Sequence, residues 1–141
     1  MSRKVLMIIA AGALLAAAAP VWAHHAFAAE FDSSKPVKFK GTVTKMEWIN
    51  PHAWIHIDVK GDDGSVTEWM IEAAAPNSLL RRGFNKHSLE PGTEILVEGF
   101  QAKDASHRAN GSVITYTDGR KLFIGSSQGD PGAAPGAPSD K

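Results

Sequence analysis

Residues 52–59 of the chain are His-Ala-Trp-Ile-His-Ile-Asp-Val, and this stretch determines the fold class. Apolar side chains recur at every second position, which is the period of a β-strand that buries one face. The opposite face carries His52, Trp54, His56 and Asp58. The stretch therefore predicts a half-buried strand whose second face is polar and aromatic.

The same alternation continues on both sides of this strand. Upstream, residues 37–43 alternate between apolar residues and Lys or Thr, and Pro51 later interrupts the ladder because it has no N–H to donate. Downstream, a Gly-Asp-Asp-Gly turn at residues 61–64 leads into a third strand at residues 65–72. Three further strand patterns follow, at residues 94–100, 112–116 and 121–124.

One segment between the third and fourth strands lacks alternation and predicts a short helix. It begins at Pro76 and ends before Gly83, and Leu79 and Leu80 are expected to cover the core. Three strands, a helix and two or three strands form the element order of an oligonucleotide/oligosaccharide-binding (OB) barrel. We predict an all-β protein, a small OB-like barrel of five to six strands, with a small open sheet or sandwich as the alternative.

The two ends of the chain differ from this domain. Arg3 and Lys4 precede an apolar run, and Val21-Trp22-Ala23 is a good cleavage pattern, so we predict a cleavable secretory signal peptide. The run is too short for a comfortable membrane span, so no stable membrane insertion is expected. The predicted organisation is a signal peptide at residues 1–23, an N-terminal arm at 24–36 with Phe27 and Phe31 as anchors, an OB-like domain at 37–125, and a disordered tail at 126–141.

Composition narrows the possible functions. The chain has 15 Lys and Arg against 15 Asp and Glu, so no basic excess points to nucleic acid. It has no Cys, which excludes disulfides and thiol chemistry. The sequence also lacks a Gly-x-Ser-x-Gly elbow and a His-Glu-x-x-His zinc helix. The sequence therefore favours a non-enzymatic role.

A metal site is the chemically most specific hypothesis. Cleavage after Ala23 would make His24 the mature N-terminus, where its α-amine and ring nitrogen together can chelate Cu(II). A further nitrogen would come from His25, His52 or His56. Only one of the two strand histidines can take part, because residues i and i+4 of a strand lie about 13 Å apart.

Two alternatives remain open. In the first, the chain binds no metal and uses the face of His52, Trp54 and His56, with Trp48 and Asn50, to bind a small ligand or another periplasmic protein. In the second, the N-terminal His belongs to a copper-dependent oxidase.

Four runs of the sequence resemble one known family. They are the His24-His25 pair, Trp-Ile-Asn-Pro-His-Ala-Trp at residues 48–54, Pro-Asn-Ser-Leu-Leu-Arg-Arg-Gly at 76–83, and Asp-Gly-Arg-Lys-Leu-Phe at 118–123. Together they are similar to a family of small exported bacterial proteins classed as a domain of unknown function. The resemblance implies a Gram-negative periplasmic location, and it brings no activity and no catalytic residues.

Overall fold

The computed structural model describes residues 27–125, which form a small β-barrel with short helical segments. The predicted signal peptide, His24, His25 and the predicted tail lie outside the described residues. Residues 27–30 are helical and lead directly into the first strand. The elements are β1 (Phe31–Glu47), β2 (Trp54–Lys60), β3 (Val66–Glu72), α1 (Pro76–Arg81), β4 (Glu94–Ala102), β5 (Arg108–Tyr116) and β6 (Lys121–Phe123).

The strands close into a ring. Their order in the sheet is β3-β2-β1-β4-β5-β6, and an additional parallel pairing joins β3 to β5. That pairing matches Met70 with Arg108 and Glu72 with Asn110, and the backbone N–H of Met70 donates to the carbonyl of His107 at 3.0 Å. The barrel-like, all-β fold predicted from the alternation is confirmed.

The inside of the ring holds the core. Ile55, Ile57 and Ile71 are fully buried, as the alternation within β2 and β3 requires. Leu79 of α1 and Phe84 just after it are also fully buried and belong to the same hydrophobic cluster. Each fully buried aliphatic or aromatic side chain contributes about 1.5–3 kcal/mol relative to an exposed one, so these side chains hold the strands in register.

Two local predictions are corrected. Strand β1 begins at Phe31 and not at Val37, because Phe31 is buried and pairs with Ala102 across an irregularity that ends at Pro36. The last residues of the predicted arm are therefore part of the barrel. Leu80 does not cover the core with Leu79, since 51 % of it is exposed.

The short helix begins and ends as the sequence predicts. Pro76 occupies the first turn, no side chain caps the start, and Gly83 adopts a positive φ of 79° just past the end. The described residues include no helix that is both long and apolar enough to cross a membrane.

Candidate functional site

A row of four side chains crosses the outside of the barrel where β3 meets β5. Neighbouring strands pair Glu47 with Trp54, Trp54 with Glu72, and Glu72 with Asn110. Ile55, Ile71 and Ala109 are buried in the core. Each of them adjoins one member of the row in the chain, and successive side chains of a strand point to opposite faces, so the row faces outward. We call Glu47, Trp54, Glu72 and Asn110 the outer row.

Glu72 is the buried charged member of the outer row, and it lies next to the buried Asn110. Only 8 % of Glu72 is exposed, and Asn110, of which 6 % is exposed, donates from Nδ2 to Glu72 Oε1 at 3.1 Å. The Nδ1 atom of His52 lies 3.4 Å from the same oxygen. Burial raises the pKa of the Glu72 carboxyl, while the nearby His52 and the hydrogen bond from Asn110 act in the opposite direction. A carboxylate held this way interacts strongly with any cation that approaches it.

The N-terminal segment is attached to the barrel beside Glu72. The guanidinium of Arg108 donates to Glu30 Oε2 at 2.9 Å, and the backbone N–H of Lys103 donates to the carbonyl of Glu30 at 2.9 Å. The ring of Phe27 lies 5.8 Å from that of Phe31 and 6.1 Å from that of Phe100. Electrostatic and aromatic contacts therefore hold residues 27–31 against β4 and β5.

Arg108 links this segment to the outer row. Its guanidinium carbon lies 5.5 Å from the centre of the Trp54 ring and 6.0 Å from that of Phe31, within the range of cation–π contacts. Arg108 also pairs with Met70 in the β3–β5 ladder, two positions from the pairing of Glu72 with Asn110. Glu30, Arg108 and Trp54 thus lie near Glu72.

His56 lies in a separate cluster on the same face. Its Nε2 is 3.0 Å from Glu47 Oε1, and its Nδ1 is 3.1 Å from Glu68 Oε1. Only 12 % of the His56 side chain is exposed, whereas 35 % of the His52 side chain is. His52 lies in the loop before β2, and not on the strand predicted for residues 52–59, so the two histidines have different surroundings.

The predicted ligand-binding residues do not form one surface. Trp48 packs against the core and stacks on Phe84, with ring centres 6.2 Å apart and 25° between the planes. Asn50 is exposed and forms a cis peptide bond with Pro51. Trp54 is half-buried in the outer row, next to Arg108.

Sequence reasoning missed several members of the site. Glu72 lies on the outer face of β3, and the alternation along that strand does not indicate that it is buried. Asn110, Arg108 and Glu30 carried no signal in the sequence, because their roles depend on the pairing of β3 with β5 and on the attachment of the N-terminal segment.

Within residues 27–125 no group of three or more His, Asp or Glu side chains is arranged to hold a metal ion. A site built from these residues alone is thus incomplete. The predicted ligands His24 and His25 lie outside the described residues, and Ala26 separates them from Phe27. A metal site of the kind predicted from the sequence would combine His24 with a nitrogen from His25 or from a histidine of the barrel.

Comparisons with known proteins identify a family. No curated protein and no solved structure matches the chain significantly. One family model matches residues 11–111, which is more than half of the chain and extends from the predicted signal peptide into β5. This confirms the resemblance found in the sequence, and the chain belongs to the family of unknown function DUF6152.

Proposed function

We propose that this chain is an exported, non-enzymatic periplasmic protein that binds one Cu(II) ion through its mature N-terminus. The α-amine and ring of His24 form the chelate, and one further imidazole from His25, His52 or His56 completes it. Cleavage after Ala23 creates this N-terminus, and the pattern Val21-Trp22-Ala23 supports that position.

One observation supports the proposal most. The described end of the N-terminal segment is attached near Glu72, through the contacts of Glu30 with Arg108 and Lys103. Two residues, His25 and Ala26, separate His24 from Phe27, so the Cα atoms of His24 and Phe27 lie at most about 11 Å apart. A metal held by His24 would therefore stay close to Phe27, whose ring packs against Phe31 and Phe100 of the barrel.

The chemistry of the surroundings is consistent with a cation. Amine and imidazole nitrogens suit Cu(II), which has the highest affinity among the first-row divalent ions. The carboxylates of Glu30 and Glu72 lie on this side of the barrel and give it negative charge. Arg108 neutralises part of that charge through its ion pair with Glu30.

The test compares the native mature protein with a variant that carries three extra Ala residues before His24, because one or two would place a His at the third position, where it chelates Cu(II) together with the new amine. Both proteins keep every side chain, but only the native one has the α-amine and the ring on the same residue. Competitive titration with a Cu(II) chelator should show that the extended protein binds at least about tenfold more weakly, a loss of about 1.4 kcal/mol. Equal affinities would refute the N-terminal site.

A metal-free binding module is the second candidate. Trp54 is half-buried on the outer face of β2 and contacts Arg108, and OB barrels bind ligands on the face of their second and third strands. Metal-free protein can be titrated with maltohexaose while the indole N–H signal of Trp54 is followed by NMR. A saturable shift, together with loss of maltohexaose binding in Trp54→Ala as measured by calorimetry, would support this candidate, and an unchanged signal at millimolar sugar would count against an oligosaccharide groove.

A further inference from the structure

We propose that a cleft on the outer face of β1, β2 and β4 binds a small zwitterionic ligand of about the length of a dipeptide. The cleft has a volume of about 580 Å³ and lies toward the end of β2 opposite to Trp54. Its lining residues all belong to the part of the chain between Lys40 and Thr117. The inference therefore goes beyond the copper site and does not depend on it.

One row of side chains in this cleft is acidic. Thr42 of β1 pairs with Asp58 of β2 on one side and with Glu94 of β4 on the other. Ile57 and Ile95 adjoin these two acidic residues in the chain and are buried in the core. Because successive side chains of a strand point to opposite faces, the two carboxylates face outward. We call Asp58 and Glu94 the acidic row.

The next row is basic. Lys60 follows Asp58 by two positions on β2, and Lys40 precedes Thr42 by two positions on β1 and pairs with Leu96 of β4. Positions two apart on a strand share a face, so both lysines lie on the side of the carboxylates and line the same cleft. We call Lys40 and Lys60 the basic row. The two rows are about 6.6–6.8 Å apart along the strands.

The charges of the two rows are not neutralised by neighbouring side chains. Among residues 27–125, no oppositely charged group lies within 4.0 Å of either carboxylate or of either ammonium group. The next pair along the same strands differs, because Lys38 Nζ lies 2.9 Å from Glu98 Oε1. The cleft therefore offers two carboxylates and two ammonium groups to a ligand.

These groups select a ligand with opposite charges at its two ends. A ligand with one kind of charge is attracted by one row and repelled by the other, whereas a zwitterion is complementary to both. Two extended residues of a peptide span about 7 Å, close to the distance between the rows, and a free amino acid spans about half of that. A dipeptide that lies along the strands therefore brings its ammonium group to the acidic row and its carboxylate to the basic row.

The middle of the cleft is suited to the middle of such a ligand. Leu96 is half-buried and lies opposite Lys40, and Thr42 lies between Asp58 and Glu94. Leu96 provides an apolar contact for a ligand side chain. The hydroxyl of Thr42 can donate to or accept from the peptide group of the ligand.

The first experiment titrates the mature protein with three forms of one dipeptide. Alanyl-leucine carries both charges, N-acetyl-alanyl-leucine lacks the ammonium group, and alanyl-leucine amide lacks the carboxylate. Backbone amide NMR signals of Thr42 and Leu96 should shift saturably with alanyl-leucine. Each blocked peptide should bind at least about threefold more weakly, because partly exposed charge pairs contribute modestly. The buffer is kept free of metal, since peptides themselves chelate Cu(II).

The second experiment assigns each end of the peptide to a row. Lys40→Gln should weaken alanyl-leucine binding by at least about threefold and leave binding of the amide unchanged, since the amide has no carboxylate to lose a partner. Asp58→Asn should likewise weaken alanyl-leucine binding and leave binding of the acetylated peptide unchanged. Lys38→Gln is the matched control, because this lysine lies on the same face of β1 but is paired with Glu98. It should bind all three peptides like the native protein, and the NMR spectrum shows whether each variant is folded.

Four results would overturn the inference. The first is the absence of a saturable shift at millimolar alanyl-leucine, and the second is equal binding of the three peptides. The third is a set of shifts confined to Trp54 and His56, which would place the ligand on the face of β2 and β3. The fourth is an equal loss in Lys38→Gln and Lys40→Gln, which would indicate an effect of net charge. None of these measurements involves copper, so their failure is distinct from a failure of the proposed function.

Discussion

Gly111 of β5 lies where the barrel closes, and replacing it with Ala should destabilise the fold. A Cβ at this position would lie 2.6 Å from Ile124 Cδ1 and 2.7 Å from Ile71 Cγ2, and both isoleucines are fully buried. Ordinary contacts between carbon atoms are about 3.5–4.0 Å, so both side chains must move by close to 1 Å. Such overpacking costs about 1–3 kcal/mol, whereas losing a glycine from the unfolded chain gains about 0.4–1 kcal/mol. We expect a net loss of about 1–2 kcal/mol in the free energy of unfolding.

Urea unfolding followed by circular dichroism measures this loss, and a second substitution tests its cause. Ile124→Val removes the Cδ1 atom that clashes, and alone it should cost about 0.5–1.5 kcal/mol. The double variant should be more stable than the sum of the single effects, since the Val leaves room for the new methyl group. Additivity within about 0.5 kcal/mol would refute the steric explanation. Gly64→Ala is the control, because nothing lies within 4 Å of its Cβ and its positive φ is the only source of strain.

Three further predictions concern other parts of the chain. Intact-mass spectrometry of protein from a periplasmic extract should give a mature chain that starts at His24, and a chain that retains residues 1–23 would contradict the predicted cleavage. Deleting residues 126–141, which include no apolar residue larger than Ala, should change the free energy of unfolding by less than about 0.5 kcal/mol, as urea titration would show. Hydrogen bonds from the backbone and side chain of Arg120 lower the pKa of Asp118 below its ordinary value of 3.8, so the ionised form is favoured in the folded state. Asp118→Asn should therefore reduce the melting temperature at pH 7, and the difference should shrink as the pH falls below that ordinary value.

Local patterns were sufficient to predict most of the barrel. Alternation identified the strands because each strand buries one face, and Ile55, Ile57 and Ile71 lie where that alternation places them. The turn at residues 61–64 could also be predicted locally, because Gly64 adopts a positive φ of 82°, which glycine tolerates. The start of β1 was missed because the first residues of this strand pair with β4 across an irregularity and show no alternation of their own.

Burial on the outer face could not be predicted from one strand at a time. Leu80 follows Leu79 in the helix and is exposed, whereas Glu72 lies on the outer face of β3 and is buried. The reason is the same in both cases, since burial depends on what packs against the residue from elsewhere in the chain. Asn110 covers Glu72 from a position 38 residues away, and nothing in either local sequence indicates that contact.

The difference between His52 and His56 has the same physical origin. A sequence period places both histidines on one strand face, but it cannot say which carboxylates face their rings. His56 contacts two carboxylates, of Glu47 on β1 and Glu68 on β3, whereas His52 lies near one, that of Glu72 at the end of β3. Each of these carboxylates reaches its histidine from another part of the chain, between 9 and 20 residues away in sequence. No period along a single strand could therefore distinguish the two histidines, because their surroundings exist only once the neighbouring strands have paired.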